Sequence, residues 1–481
     1  MRYKSGISRA QDSFLPSCLD DYVGEEHLCR VISAFTETLD MTELGFKYSD
    51  TKEVGCKPFD PRMMLNLYIY GYLNRIRSSR RLHAETIRNV EVMWLLEKMA
   101  PDDKTIANFR KDNAAAIRKV FRIFTLMLKE MDLFGGELIA VDGTKIRANN
   151  SLHNNFMPHT YEAALSRIDK RIDEYMKALE ETDAAETNET SPDKEKLRAA
   201  VAKLKERKKK IESVSSRVNE PGGVSIVDPD AHIMKQSGDS FVIGVCYNAQ
   251  TAVDSKNNLI VDFDVSDNHT DLGTLKKMSD KVRDVLSVDK ITALADKGYY
   301  DGKDIAACEK DGITCLVAKP MRQNNSRYLD PNFSFTHFTY DKERNCYICP
   351  MNQELKFKGI SKSNGLMCGR YNNPAACRNC PVKAKCVPAD YKTLLRSPHQ
   401  NILDTVDART KNNPAFYHKR KEMIEHPFGT IKRIWGFIQF LCRTKPKVEA
   451  EMSLTYLSYN LRRVINIFKE QNRNLIKEIK A

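Results

Sequence analysis

The chain has 481 residues, with 77 Lys and Arg against 64 Asp and Glu and a formal net charge of +13. That length allows two or three domains with a well-buried core, and cations spread along the whole chain suit a surface that meets a polyanion, because neutralised phosphates release condensed counterions. No apolar run approaches the roughly 20 residues that span a bilayer, and Met1-Arg-Tyr-Lys-Ser5 leads into polar sequence without a signal-peptide core, so a membrane-spanning or secreted chain is not expected and a cytoplasmic one is.

From about Asp20 to Phe134 apolar residues recur at three- and four-residue intervals with few Gly, the pattern of successive helices. Met63 to Leu73 reads as a buried helix entered after Asp60-Pro61, and its continuation, Asn74 to Arg81, is strongly basic. Asp103 or Thr105 is placed to cap a short helix over Ile106 to Lys111. Short helices joined by tight turns, with Arg outward, suggest a helix-turn-helix-like reader of double-stranded DNA; an ordinary helical bundle with a basic face is the plainer alternative. Residues 1–135 are therefore expected to form a helical DNA-binding and dimerisation domain.

Strand-forming sequence begins after Gly135-Gly136, with Leu138 to Asp142 as the first strand of a core whose first part is 136–160. A polar helical insertion spans 161–218. Leu165, Ile168, Ile172, Tyr175, Met176 and Leu179 recur on one arm, Leu197, Val201, Leu204 and Ile211 on the other, and Glu181 to Pro192 forms the tip. This is the pattern of a helical hairpin of coiled-coil type, suited to a structural arm or dimer contact. The core resumes over 219–325. Phe241 to Cys246, continuing through Gln250 to Val253, pairs with Leu259 to Phe263 across the turn Asp254 to Asn258; a helix covers Asp271 to Leu286, a fourth strand ends at Asp296, a helix covers Asp301 to Lys310, and Ile313 to Val317 is the fifth strand. With the inserts removed, this is the element order of an α/β, RNase H-like mixed-sheet core, closed by helices over 396–481 that carry Glu425. Met452 to Leu461 reads as core helix rather than interface.

Three acids stand in distinctive settings: Asp142 before Gly143, Asp296 in Asp296-Lys-Gly298, and Glu425 on a basic helical stretch. In the expected fold the first and fourth strands are neighbours, so Asp142 and Asp296 share a site to which the last helix delivers Glu425. Three carboxylates suit Mg²⁺ or Mn²⁺, leave positions open for a phosphate and a nucleophile, and fit two-metal phosphodiester chemistry. Taken singly each has a bland reading as a turn residue or a solvated helix residue. Asp228 and Asp230 read as an ordered turn near the site, with Asp228 in reserve, and Asp267 and Asp271 as a loop and helix cap. Lys145, Arg147 and Lys297 are placed for phosphate contacts or for structural ion pairs.

The 13 cysteines do not suggest a secreted scaffold, because Cys346, Cys349, Cys368, Cys377, Cys380 and Cys386 crowd into 326–395 with two Cys-x-x-Cys pairs. Tetrahedral zinc is the natural occupant, with six candidates for four places.

Ala140 to Ala148, Tyr247 to Asp254, Ala295 to Asp301 and Ile424 to Lys432 together resemble bacterial insertion-sequence transposases of the DDE superfamily. The resemblance implies Asp142, Asp296 and Glu425 as catalytic triad, and favours Cys349, Cys377, Cys380 and Cys386 as zinc ligands. It implies cleavage at element ends and 3′-hydroxyl strand transfer by a nucleoid-associated homodimer in a synaptic complex. Such proteins share a Tyr, Arg, Glu, Lys signature; Lys432 follows Glu425 at the expected spacing, but Tyr417 and Arg420 lie one residue too far upstream and Lys421 occupies the Arg position. The alternatives are a metal-dependent nuclease of the same fold and a catalytically silent, domesticated DNA-binding protein.

Overall fold

The computed structural model describes residues 18–49, 57–185, 192–220, 222–235, 243–266, 268–320, 330–363 and 365–480. Its first eight strands are β1 (Leu138–Arg147), β2 (Asn155–Phe156), β3 (Val224–Ser225), β4 (His232–Lys235), β5 (Ile243–Asp254), β6 (Ile260–Ser266), β7 (Ile291–Ala295) and β8 (Ile313–Val317). Five more follow: β9 (Thr339–Asp341), β10 (Cys346–Ile348), β11 (Glu354–Ser363), β12 (Leu366–Asn372) and β13 (Thr393–Arg396).

β1 is the centre of a mixed sheet. β5 runs antiparallel along one side of it, from Ile139 opposite Asp254 to Arg147 opposite Cys246, while β7 and then β8 run parallel on the other. The far edge of β5 is shared by β6 and the four-residue β4. β7 and β8 are short continuous apolar runs, as strands covered on both faces must be. The strands and helices expected between Phe241 and Val317 are present in the expected order, although residues 241, 242 and 267 lie outside the described residues. Two differences matter. β1 continues five residues past Asp142, because β5 offers partners in unbroken register as far as Cys246, so Asp142 stands within a strand and not at its end. β4 was not anticipated, since His-Ile-Met-Lys is too short to show a period.

The insertion is a pair of packed helices, Pro158–Ala185 and Pro192–Glu212, anchored at its base by Phe156, Ile168 and Ile211; residues 186–191 of the expected tip lie outside the described residues. Met176 does not join the seam and is exposed.

The N-terminal helices share one apolar core with the sheet, running from Val23 to Ile479. Pro61–Leu73 is buried almost throughout, starts with Pro at its first turn and is capped by Asp60, whose carboxylate accepts the Arg62 N–H at 2.7 Å. It and Ala114–Glu130 pack on the long C-terminal helix Lys445–Glu470, in which Met452 to Leu461 are all buried. Asp102, rather than Asp103 or Thr105, caps the short helix Asp103–Asp112, accepting from the Thr105 N–H at 2.6 Å. Within the basic stretch, Arg77 turns inward: its guanidinium stacks on Phe437 and bonds to Glu451, which is fully buried. Arg75, Arg80 and Arg81 are exposed.

The cysteine-rich segment holds a second, five-stranded antiparallel sheet, ordered β13-β12-β11-β10-β9, with its own small core of Phe338, Tyr347, Leu355, Tyr371 and Leu394. Sequence patterning missed it because a bulge between Phe357 and Ile360 breaks the alternation and Lys356, Lys358 and Lys362 dilute it.

Candidate active site

The parallel register of β1 and β7 sets the site. Val141 lies opposite Ala295, so the next step along both strands brings Asp142 beside Asp296. Each carboxylate is fixed by a neighbouring backbone N–H: Asp142 Oδ1 accepts from Gly143 at 2.8 Å, and Asp296 Oδ1 from Gly298 at 2.7 Å, capping the turn Lys297–Tyr299. Burial, and then the Asp296 charge beside it, pushes the Asp142 carboxyl up to about 6, against the opposing pull of Arg420. Arg420 Nη1 stands 3.2 Å from Asp142 Oδ2.

Arg420 comes from the helix Pro414–Phe428, which lies across β1 and β7. Tyr417, Arg420, Ile424 and Pro427 recur on its inner face at helical spacing; the Tyr417 hydroxyl donates to the Ala295 carbonyl at 2.9 Å, and Ile424 and Pro427 are buried. Glu425 stands on the flank of that face. Its side chain is 67% exposed, with Lys421 Nζ 3.7 Å from its Oε1. So Asp142 and Asp296 are brought together, while Glu425 belongs to the helix overhead and turns towards solvent. It is Arg420, and not Lys421, that reaches the paired aspartates. A π-helical turn, Gly429–Ile434, follows and swings Lys432 inward, where its ammonium donates to the Lys145 carbonyl at 3.1 Å and burial lowers its pKa. The Lys145 side chain is half-buried, and those of Arg147 and Lys297 are exposed.

A fourth acid lies at the same place. Asp271 Oδ1 accepts from Asn248 Nδ2 at 2.7 Å and Gln250 Nε2 at 2.6 Å, and its charge reaches both Asp142 and the buried Tyr299. The helix-cap reading of Asp271 is corrected: the Leu275 N–H at the start of Leu275–Leu286 is taken at 2.9 Å by Asp304. The signal that could have found Asp271 is the pair Asn248 and Gln250, buried polar residues in an apolar strand. Asp228 stands at an ordered turn, as expected. It accepts from the Tyr247 hydroxyl and the Thr444 N–H, and Asp230 accepts from the Lys445 N–H, so the pair clamps the start of Lys445–Glu470.

The donors gathered here are all carboxylate oxygens, the chemistry of a hard divalent cation. A half-buried carboxyl whose proton affinity is raised by burial and then by its neighbour is also a place where a cation relieves repulsion.

The cysteines sort into two groups. Cys349, Cys377, Cys380 and Cys386 line one cavity beside the small sheet, and the first three all raise the proton affinity of the Cys386 thiol, which burial has already pushed up. Cys346 and Cys368 are buried within β10 and β12. Among the described residues, His27, Cys29 and Glu91 are the group whose metal-type ligand atoms lie within 4.8 Å of one another. There the His27 Nδ1 accepts the Cys29 N–H at 3.3 Å, and burial with Glu91 pushes the Cys29 thiol up to about 12, which describes a helix cap beside a neutral thiol.

Comparison with known proteins gives two matches in order along the chain. Residues 17–112 match the family described as Transposase domain (DUF772), and residues 348–465 match the family described as Transposase DDE domain. The second match covers the four cavity cysteines after its start at 348, the Glu425 helix and most of the C-terminal helix; Asp142 and Asp296 fall between the two. No curated protein matches the chain, and no solved structure does.

Proposed function

Given that the chain is an insertion-sequence transposase of the DDE kind, we propose that it cleaves DNA at the element's ends and transfers the freed 3′-hydroxyl into target DNA. The observation that carries this reading is the pairing of Asp142 with Asp296 across two parallel strands, under a helix bearing Glu425. The strand order β6-β5-β1-β7-β8, antiparallel then parallel about β1, supports an RNase H-like core around them.

In this reading Asp142 and Asp296 hold Mg²⁺ or Mn²⁺, and Glu425 leaves Lys421 to complete the set. Two such cations, when bound, supply activation of water or a 3′-hydroxyl and stabilisation of the leaving oxygen. Arg420 orients Asp142 and, released from it, meets a phosphate as a planar fork. Lys432, Lys145, Arg147, Lys297 and Lys421 line the approach to the phosphate backbone, and the exposed Arg75, Arg80 and Arg81 grip DNA from the N-terminal helices. Cys349, Cys377, Cys380 and Cys386 hold zinc, which closes a segment whose own core is five residues. Two chains act together, because two ends must be joined.

The test is labelled DNA carrying the element's flanking sequences, incubated with the protein and Mg²⁺ or Mn²⁺. Asp142→Asn, Asp296→Asn and Glu425→Gln are run beside it. Cleaved and joined products, lost in all three variants, are expected. Tight binding without cleavage under either metal would overturn the reading.

A further inference from the structure

Asp271 lies in the loop between β6 and the helix Leu275–Leu286, a position from which a solvated side chain would be ordinary. It is instead drawn over β1 by a built arrangement. Gln250 and Asn248 stand opposite Gly143 and Lys145 in the β5 register, are 0% and 1% exposed, and both spend their amide donors on Asp271 Oδ1. Gln250 is held in turn from its other end, where Oε1 accepts the hydroxyls of Tyr299 and Thr274. Burying two amides in the middle of a strand is costly unless their bonds serve a purpose, and here the purpose is to fix one carboxylate.

Space is reserved for that carboxylate. A Cβ at residue 143 would stand 2.4 Å from Asp271 Oδ1 and 2.5 Å from Gln250 Nε2, so a side chain after Asp142 would displace this bonded pair. A Cβ at residue 298 would stand 2.8 Å from Asp296 Oδ1 and 3.3 Å from Asp271 Oδ2, so both oxygens border the position over Gly298. With Oδ1 taken by the amides, Oδ2 is the oxygen left for a ligand. A further polar atom points the same way: Asn248 Oδ1 is buried, lacks a partner among the described residues, and lies 3.0 Å from that position over Gly143. Capping does not explain Asp271, since Asp304 caps the helix.

We infer that Asp271 is a fourth carboxylate of the site, a ligand through Oδ2 to the divalent cation that Asp142 and Asp296 hold, with Asn248 and Gln250 as its positioning residues. This rests on the metal site of the proposed function. Amides that orient a metal ligand act as its outer shell and tune its affinity.

Mn²⁺ binding to the full chain without DNA tests it, read by the loss of the free-ion paramagnetic signal and by calorimetry. Asp271→Asn should weaken Mn²⁺ by about tenfold or more, while Asp304→Asn, which removes only the charge of the helix-capping carboxylate, should leave it unchanged. In parallel, Fe²⁺ with ascorbate and peroxide on the unaltered chain should cut the backbone near 142, near 296 and at 268–273, a readout that survives if Asp271→Asn fails to fold. Wild-type binding that is lost in Asp142→Asn but kept in Asp271→Asn, or cuts at 142 and 296 without one at 268–273, would overturn this inference alone. Failure of the wild-type chain to bind Mn²⁺ would overturn the metal site itself.

Discussion

Replacing Asp142 by Asn should make the metal-free protein more stable at neutral pH, although it removes a charged group that accepts a hydrogen bond and faces an Arg. The Asp142 carboxyl is raised from its ordinary 3.8 to about 6, chiefly by burial and secondly by Asp296, after the Arg420 attraction is already included. At about 1.4 kcal/mol per pH unit, holding it ionised costs the native state about 3 kcal/mol. The sign follows from linkage. A carboxyl raised in the folded state burdens that state fully above pH 6, and the burden lifts as pH falls towards 3.8. Asn carries no such burden, so the stability gap between Asp142→Asn and wild type should be about 3 kcal/mol at pH 7.5, about half that at pH 5, and about 0.6 kcal/mol at pH 4. Denaturant melts of both proteins in EDTA at the three pH values measure it. Added Mg²⁺ should narrow the gap at pH 7.5 by stabilising the wild type alone. A variant less stable than wild type at pH 7.5, or a gap that does not shrink with acid, would refute the argument that the two aspartates crowd one half-buried place.

Two other outcomes follow from the packing. Glu451 is fully buried and serves Arg77 and the Leu441 and Cys442 N–H groups, so Glu451→Ala should cost about 3–5 kcal/mol in a denaturant melt, by stranding a half-buried guanidinium and two amides; Glu451→Gln, which keeps one of the two acceptor oxygens, should cost less. Metal analysis of the purified chain should find about one zinc, lost in Cys377→Ser and Cys380→Ser but retained in Cys346→Ser and Cys368→Ser, because only the first two sulfurs face the cavity. Equal loss in all four would contradict that sorting.

How far the residues alone disclosed this can be judged element by element. The central strands were legible because Leu138 to Val141, Ile291 to Ala295 and Ile313 to Val317 are short, continuous and apolar, and the glycine and asparagine turns between them are unambiguous. Asp142 and Asp296 were legible for the same reason, since each directly follows such a run. Asp271 was not, because what makes it special is tertiary: two amides from β5 and the lack of a Cβ on β1. The inward reach of Arg420 depends on the register of one helix against two strands, which sequence spacing alone does not give; Lys421, at the position the resemblance reserves for Arg, stands beside Glu425. Arg77 looked like a DNA contact because its neighbours are basic, and only the fold reveals Phe437 and Glu451 waiting for it.

The interleaving of the first helices with the last has a consequence for how the molecule is made. Pro61–Leu73 and Ala114–Glu130 find a covering surface in Lys445–Glu470, more than 300 residues later in a chain of 481. On the ribosome, the amino-terminal helices therefore wait with apolar faces uncovered until nearly the whole polypeptide has emerged, against the usual order in which early segments finish folding first. A prematurely terminated copy would lack that cover and be left to aggregation and proteolysis. Only a completed chain would then offer a settled amino-terminal face, so broken copies would make poor competitors for whatever that face binds.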